Sequence, residues 1–235
     1  MEWPRSTQQL IEAQEALAAK TPEPWSPPEG PPVIGACFVC FEQGESGPGS
    51  AADRGWAGAA LMRNRRLVAE GAVDGQAGGT YSPGFLALRE GRLLEAAVRA
   101  LLEQPDVLLV NATGRDHPRR AGLAMHLGAI LDLPSVGVTH RPLIATGEWP
   151  PLERSATAPL SVAEEVVGFW VCTRSDARPL AAHAGWRTDP LTAVQVLLAA
   201  GGRARTPEPM RQARRVAREA RAAAGPVPPL AGADT

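Results

Sequence analysis

The chain has 235 residues, of which 44% are hydrophobic and 21% charged, with a formal net charge of −1. That length suits one generous domain or two small ones with a real buried core. A charge near zero excludes a strongly basic surface that coats phosphates wholesale, so any contact with nucleic acid must be local. Lys20, in an N-terminal segment remote from any motif, is the only lysine, which argues against lysine-based catalysis. Three cysteines, Cys37, Cys40 and Cys172, are an odd number and too few for a disulfide scaffold. No apolar run reaches the roughly 18–20 residues that cross a bilayer, and Met1-Glu2-Trp3-Pro4-Arg5 lacks the pattern of a signal peptide. The expectation is a reduced, cytoplasmic protein without membrane contact.

In chain order, good helix formers with amphipathic spacing predict a helix over Thr7 to Ala19. The run Pro22-Glu23-Pro24-Trp25-Ser26-Pro27-Pro28 and then Gly30-Pro31-Pro32 predicts an extended connector. Val33 to Phe41, apolar and rich in β formers, predicts a buried strand, and Gly44 to Gly55 a loop. Trp56 to Met62 and Leu67 to Val73 read as two strands joined by a polar turn at residues 63–66. Helical spacing then runs from Pro83 to about Glu103, followed by a strand over Asp106 to Val110 and a polar loop over Asn111 to Pro118. A helix over Ala121 to Leu131 precedes a short strand at Ser135 to Val138. Val166 to Thr173 and Pro179 to His183 pair as strands, Leu191 to Ala200 is a helix, and Pro209 to Ala224 is a basic one. The boundaries read as an N-terminal helix and connector over 1–32, one domain over 33–222 and a disordered tail over 223–235. This order predicts a single α/β domain, a mixed sheet flanked by helices. Chemistry in such sheets gathers at the carboxyl ends of strands, which points to the loops after Val39, Val110 and Val138.

Four stretches carry a resemblance. Tyr81-Ser82-Pro83-Gly84-Phe85-Leu86-Ala87-Leu88-Arg89-Glu90 is followed by His117-Pro118-Arg119-Arg120-Ala121-Gly122-Leu123-Ala124-Met125-His126-Leu127-Gly128. Pro134-Ser135-Val136-Gly137-Val138 and Arg205-Thr206-Pro207-Glu208-Pro209-Met210-Arg211 complete the set, with Gly35-Ala36, Phe41-Glu42-Gln43-Gly44 and Gly185-Trp186-Arg187 extending it. In register they resemble the endonuclease V family, deoxyinosine-directed nucleases with a ribonuclease-H-like fold, over nearly everything from residue 33 to 215. The resemblance implies a monomeric, magnesium-dependent DNA-repair nuclease that cleaves DNA or RNA near deaminated bases such as inosine. Tyr81, Pro83, Gly84, His117, Arg119, Arg120 and Gly137 fall on its nucleic-acid-contacting motifs, with Tyr81-Ser82-Pro83 as a wedge beside a flipped base.

The departures from that family fall at its chemical positions. Its metal is held by an aspartate on the first strand, a glutamate on the next helix and an aspartate ending the fourth strand, because magnesium takes several hard oxygen ligands. Glu90 keeps the glutamate position. The first aspartate falls on Cys37 counted from Gly35-Ala36, or on Phe38 counted back from Phe41-Glu42-Gln43-Gly44, and the second falls on Asn111. The family's G-H-R histidine becomes Trp186, which could fill the vacated site, and its strand-ending lysine becomes His140. Its D-G-x-G run becomes Asn111-Ala112-Thr113-Gly114. With two of three acids replaced, the expectation is a nucleic-acid-binding protein with weak or lost cleavage and at best weak metal binding at Glu90. Two alternatives stand beside it: an active metal-dependent nuclease using Glu90, Asn111 and Asp116, and a non-catalytic interaction protein on the same scaffold. Asp116 is read first as the cap of a helix starting near Pro118. His117-Pro118-Arg119-Arg120 would then set two guanidinium groups at a helix N-terminus suited to phosphate. The arginines of the last helix, Arg211, Arg214, Arg215, Arg218 and Arg221, read first as a basic surface and second as a phosphate track. Cys37 and Cys40 are C-x-x-C in a strand, where i and i+3 face opposite sides, so they read as small buried residues.

Overall fold

A computed structural model describes residues 1–42 and 47–225. The expected 223–235 tail therefore lies largely outside the described residues, as do Gln43 and Gly44 of one motif. The elements are α1 (Thr7–Ala18), β1 (Ile34–Phe41), β2 (Arg54–Arg63), β3 (Arg66–Gln76), α2 (Leu86–Arg99), β4 (Val107–Val110), α3 (Leu123–Leu131), β5 (Ser135–Thr139), β6 (Thr157–Val162), β7 (Glu165–Val171), β8 (Leu180–Ala184), α4 (Pro190–Ala199) and α5 (Glu208–Ala223). The strands form one mixed sheet in the order β3-β2-β1-β4-β5-β8-β7-β6. β1, β4 and β5 run parallel to one another at its centre, and β2, β3, β6, β7 and β8 pair antiparallel around them.

Strand alternation sends successive side chains to opposite faces. Cys37, Val39, Leu108 and Val110 pack beneath Leu93, Leu94 and Val98 of α2 and Leu123 and Leu127 of α3. Ala36, Leu109, Val136 and Val138 face the other way, onto Val196 and Leu197 of α4 and Met210 and Ala213 of α5. Gly58 lets α5 lie directly on β2: a Cβ there would stand 2.6 Å from the Ala213 carbonyl oxygen and the Ala217 nitrogen. On the outer side of α3, α1 buries Leu10 and Leu17, and Trp3 stacks on His126 at 4.8 Å between centroids. Both nitrogens of His126 lie buried without partners, and burial lowers its pKa to about 4, so it packs as a neutral ring.

The structure corrects several expected boundaries. α2 starts at Leu86, not Pro83, because Gly84 takes φ +79°, outside the helical region. It ends at Arg99, short of the expected Glu103. α3 begins at Leu123, since Arg120 is left-handed at φ 55° and Gly122 is extended at φ −74°, ψ 179°. β2 begins at Arg54, inside the expected loop. β6 is an additional edge strand that carries Pro159, a residue an edge tolerates because one side of the ladder is unpaired.

Candidate active site

The Arg89-Glu90 pair at the start of α2 divides two tasks between opposite sides of the helix. Arg89 turns into the protein and donates to Asp53 at 2.6 Å, with both side chains 7% exposed. Its second nitrogen reaches the carbonyls of Ser50 and Gly79, and its guanidinium lies 4.0 Å from the centre of the Phe41 ring. The Ser50 hydroxyl and this guanidinium together hold the Asp53 carboxyl down at about 2. That buried pair fixes the first turn of α2 against the segment that leads into β2, and so fixes Glu90.

Glu90 itself has no side-chain hydrogen bond or ion pair among the described residues. It keeps some surface exposure, but its carboxyl is desolvated and pushed up to about 7, with Arg89 opposing. Cys37 lies on the same face of β1. Burial raises its thiol far above the ordinary range, and the charge of Glu90 raises it further. Cys37 pairs with Val110 in the β1–β4 register, so Asn111 begins the loop one residue beyond it, with its side chain exposed. Phe38, the other counting of the same position, faces α5 instead, with the Arg214 guanidinium 4.9 Å from its ring centre.

A cleft of about 160 Å³ adjoins this strand end, walled by Tyr81, Pro83, Gly84, Asn111, Thr113 and His117. Gly84 organises its rim. Its carbonyl accepts from Gln14 Nε2 at 3.2 Å and Arg119 at 3.2 Å, and lies 3.0 Å from His117 Nε2. His117 Nδ1 accepts the Arg119 backbone N–H at 3.1 Å, so the ring proton sits on Nε2 and is donated to Gly84. Burial lowers the His117 pKa, consistent with this neutral form. Arg119 also donates to Gln14 Oε1 at 2.6 Å and stacks 4.7 Å from the centre of Phe85. Tyr81 stands 51% exposed at the mouth.

Several expected site residues lie elsewhere. Asp116 caps no helix: its fully buried carboxylate accepts the backbone N–H groups of Leu143, Ile144 and Ala145 at 2.6, 2.9 and 2.7 Å. It also lies 3.6 Å from His183 Nδ1, whose Nε2 is 2.8 Å from the Thr139 hydroxyl. Burial keeps His183 neutral against the pull of Asp116. Asp116 is thus committed to holding the loop after β5 and is not a spare ligand. Arg119 and Arg120 sit in a turn ahead of α3, not at its N-terminus, and Arg120 points to Glu165 and the Val162 carbonyl. Gly137 is buried in β5 directly beneath the loop that walls the cleft, where a Cβ would meet the Ala112 carbonyl oxygen at 2.4 Å and the Gly114 nitrogen at 2.9 Å. Trp186 does not fill the site. β8 runs antiparallel to β5, so residues past its C-terminus lie beside the N-terminal end of β5. There Trp186 packs with Leu17, Ala121 and Met125.

Two residues at the site escaped sequence reasoning. Gln14 lies 1% exposed on α1 between Leu10 and Leu17, and a polar residue in that apolar register was the available signal. In the sequence Arg214 reads only as one of the arginines of the last helix. It borders a small crevice with Asn111, Thr139 and His140, and that contact crosses the sheet and leaves no local trace.

The donor set does not fit magnesium. Among the described residues no group of three or more His, Cys, Asp or Glu side chains could hold a metal ion. Beside Glu90 stand a protonated thiol and a neutral amide, where an octahedral hard cation needs several carboxylate or comparable oxygens.

The sequence model of the family described as Endonuclease V matches residues 34–215. An Endonuclease V of Methanopyrus kandleri is 42% identical over 141 residues, 60% of this chain and 61% of its own length, so the matched stretch spans about three fifths of that relative. The crystal structure of Endonuclease V from Streptomyces avermitilis superposes with a TM-score of 0.84 at 31% identity, covering 94% of this chain and 96% of that one. A Ciona intestinalis Endonuclease V, crystallised with a 24mer DNA containing an inosine followed by a ribo-adenosine, matches with a TM-score of 0.77 at 18% identity, over 94% of this chain and all of that one. The last likeness concerns the fold.

Proposed function

The chain belongs to the endonuclease V family, and from that premise we propose that it binds DNA or RNA carrying deaminated bases such as inosine while cleaving weakly or not at all. The observation that carries this reading is the company of Glu90: the neighbouring positions hold Cys37 and Asn111 where a metal-dependent nuclease needs acids. The cleft that Tyr81, Pro83, Gly84 and His117 form opens beside Asn111. Its rim is bound together by the Gly84 carbonyl, and Tyr81 stands free at its mouth. The inosine-containing DNA seen with the Ciona protein supports the choice of ligand.

In this reading Tyr81 and Pro83 separate the strand, and the extruded base enters the cleft beside Asn111 and Thr113. The Gly84 carbonyl, already shared by three donors, and the neutral His117 keep that entrance in one shape. A phosphodiester placed next to Glu90 would meet a carboxyl that is half protonated near pH 7, not a charged cluster. General acid–base help from one such group typically supplies about 10²–10⁴-fold, a small part of the acceleration that enzymes of this kind need.

One observation favours residual catalysis as a second reading. Glu90 is desolvated and without a partner, as a carboxyl awaiting a ligand would be. Oligonucleotides with and without inosine, single- and double-stranded, incubated with the protein in magnesium, manganese or EDTA, separate the two. Binding without cleavage supports the proposal. Cleavage that disappears in Glu90→Ala overturns it in favour of the second reading.

A further inference from the structure

On the α5 side of the sheet, the face opposite Glu90, positive charge gathers near Asn111 without a carboxylate partner of its own among the described residues. Arg214 of α5 and His140 at the end of β5 border Asn111, Arg205 in the loop before α5 lies close enough to act on His140, and Arg218 stands one turn further along α5. Arg205 donates only to the carbonyls of Arg178 and Pro179, and neither Arg214 nor Arg218 has a carboxylate partner among the described residues. The acids on the same helix are already engaged, Glu208 with Arg211 and Glu219 with Arg215. Arg214 is held over Phe38, and its Nε is buried without a hydrogen-bond partner.

A narrow crevice of about 10 Å³ among Asn111, Thr139, His140, Thr206 and Arg214 shares Thr206 and Arg214 with an open groove of about 660 Å³, whose walls carry Arg205 and Arg218 together with the ion-paired Glu208 and Glu219. The basic groups also weaken one another. Burial and then Arg205 and Arg214 lower the His140 pKa, while burial and then Arg218 lower that of Arg214. Like charges gathered in a partly desolvated place cost stability unless an anion joins them. The same charge repels a divalent cation.

We propose that Arg205, Arg214 and His140, with Arg218 at the rim, form a phosphate site that holds a phosphodiester next to Asn111 without any metal. In effect, the charge of the strand end is inverted, and fixed guanidinium groups do the anchoring that a bound cation would otherwise do. The inference rests on the nucleic-acid reading above. It goes beyond that reading in naming which residues hold the backbone and in making binding independent of divalent ions.

The test is fluorescence anisotropy of the full chain with a labelled inosine-containing single strand, in EDTA and in magnesium at matched ionic strength. The expected affinity is equal or lower in magnesium. Arg214→Gln and the surface variant His140→Gln each weaken binding, Arg214→Gln by about tenfold, with the salt slope reduced by about one. Their preference for inosine over adenosine is unchanged. Thermal melts confirm folding, and His140→Gln keeps the test open should Arg214→Gln misfold. Binding that requires magnesium, or folded variants with unchanged affinity and slope, overturns the site while leaving nucleic-acid binding standing. If no oligonucleotide binds, the same variants are melted with inorganic phosphate. Stabilisation of the wild type but not of Arg214→Gln then supports the site and refutes the nucleic-acid reading. Equal response of both refutes the site as well.

Discussion

Glu90→Gln isolates the energetic state of the site. Burial raises the Glu90 carboxyl from 4.5 to about 7. Below about pH 4.5 the group is protonated in folded and unfolded chains alike and costs nothing. As pH rises the unfolded chain ionises first, so stability falls until the folded carboxyl also ionises near 7, and the cost is constant above that. At about 1.4 kcal/mol per tenfold change, the ceiling on that cost is about 3 kcal/mol. The neutral amide of Glu90→Gln has no such cost. The variant should match the wild type near pH 4.5 and exceed it near pH 8 by up to about 3 kcal/mol, with about 2–4 °C of melting temperature for each kcal/mol in a chain of this size. Urea titrations of both proteins across that range measure it directly. A difference that is the same at both ends of the range, or a destabilised variant at pH 8, would refute the reasoning. So would a wild type that magnesium stabilises at pH 8 while the variant is unaffected, because Glu90 would then be a working ligand.

Three further outcomes follow from side chains around the cleft. Asp116→Ala leaves the N–H groups of Leu143, Ile144 and Ala145 without their acceptor, and the variant should lose about 3–5 kcal/mol in urea unfolding with faster hydrogen exchange at those three amides. Trp186→Ala should cost about 3–5 kcal/mol by opening a cavity against Leu17, Ala121 and Met125. Gel shifts on the folded Trp186→Ala protein should nevertheless show unchanged oligonucleotide affinity, since the residue lies at the far end of β5. Tyr81→Ala, at an exposed position, should leave the melting temperature within about 1 °C. In competition binding it should abolish the preference for inosine over adenosine.

Periodic, locally encoded features were readable from the chain. The strand over Ile34–Phe41, the helix over Thr7–Ala18 and the order of elements through β5 follow from spacing and turn residues, and the motifs pointed to the fold. What was not readable depends on contacts between segments distant in sequence. Whether Cys37 or Phe38 faces Glu90 is a question of strand register, in which a one-residue shift exchanges the faces. It resolves only when β1 is laid against β4 and α2. Asp116 beside Pro118 looks like a cap until the loop at 143–145 folds back onto it from 27 residues away. Trp186 reads as part of the site because its motif does, but the antiparallel run of β8 carries it to the opposite end of the strands. Arg214 and Asn111 meet only because α5 crosses the face of the sheet.

Under the proposed reading, direct binding replaces metal chemistry at this strand end. The most direct test is a single gel that follows both binding and cleavage of an inosine-containing strand, in magnesium and in EDTA, for the wild type and Glu90→Ala. The expected result is a shifted strand in every lane, uncut or cut only in trace. Efficient cutting by the wild type in magnesium, lost with EDTA or in Glu90→Ala, would contradict it.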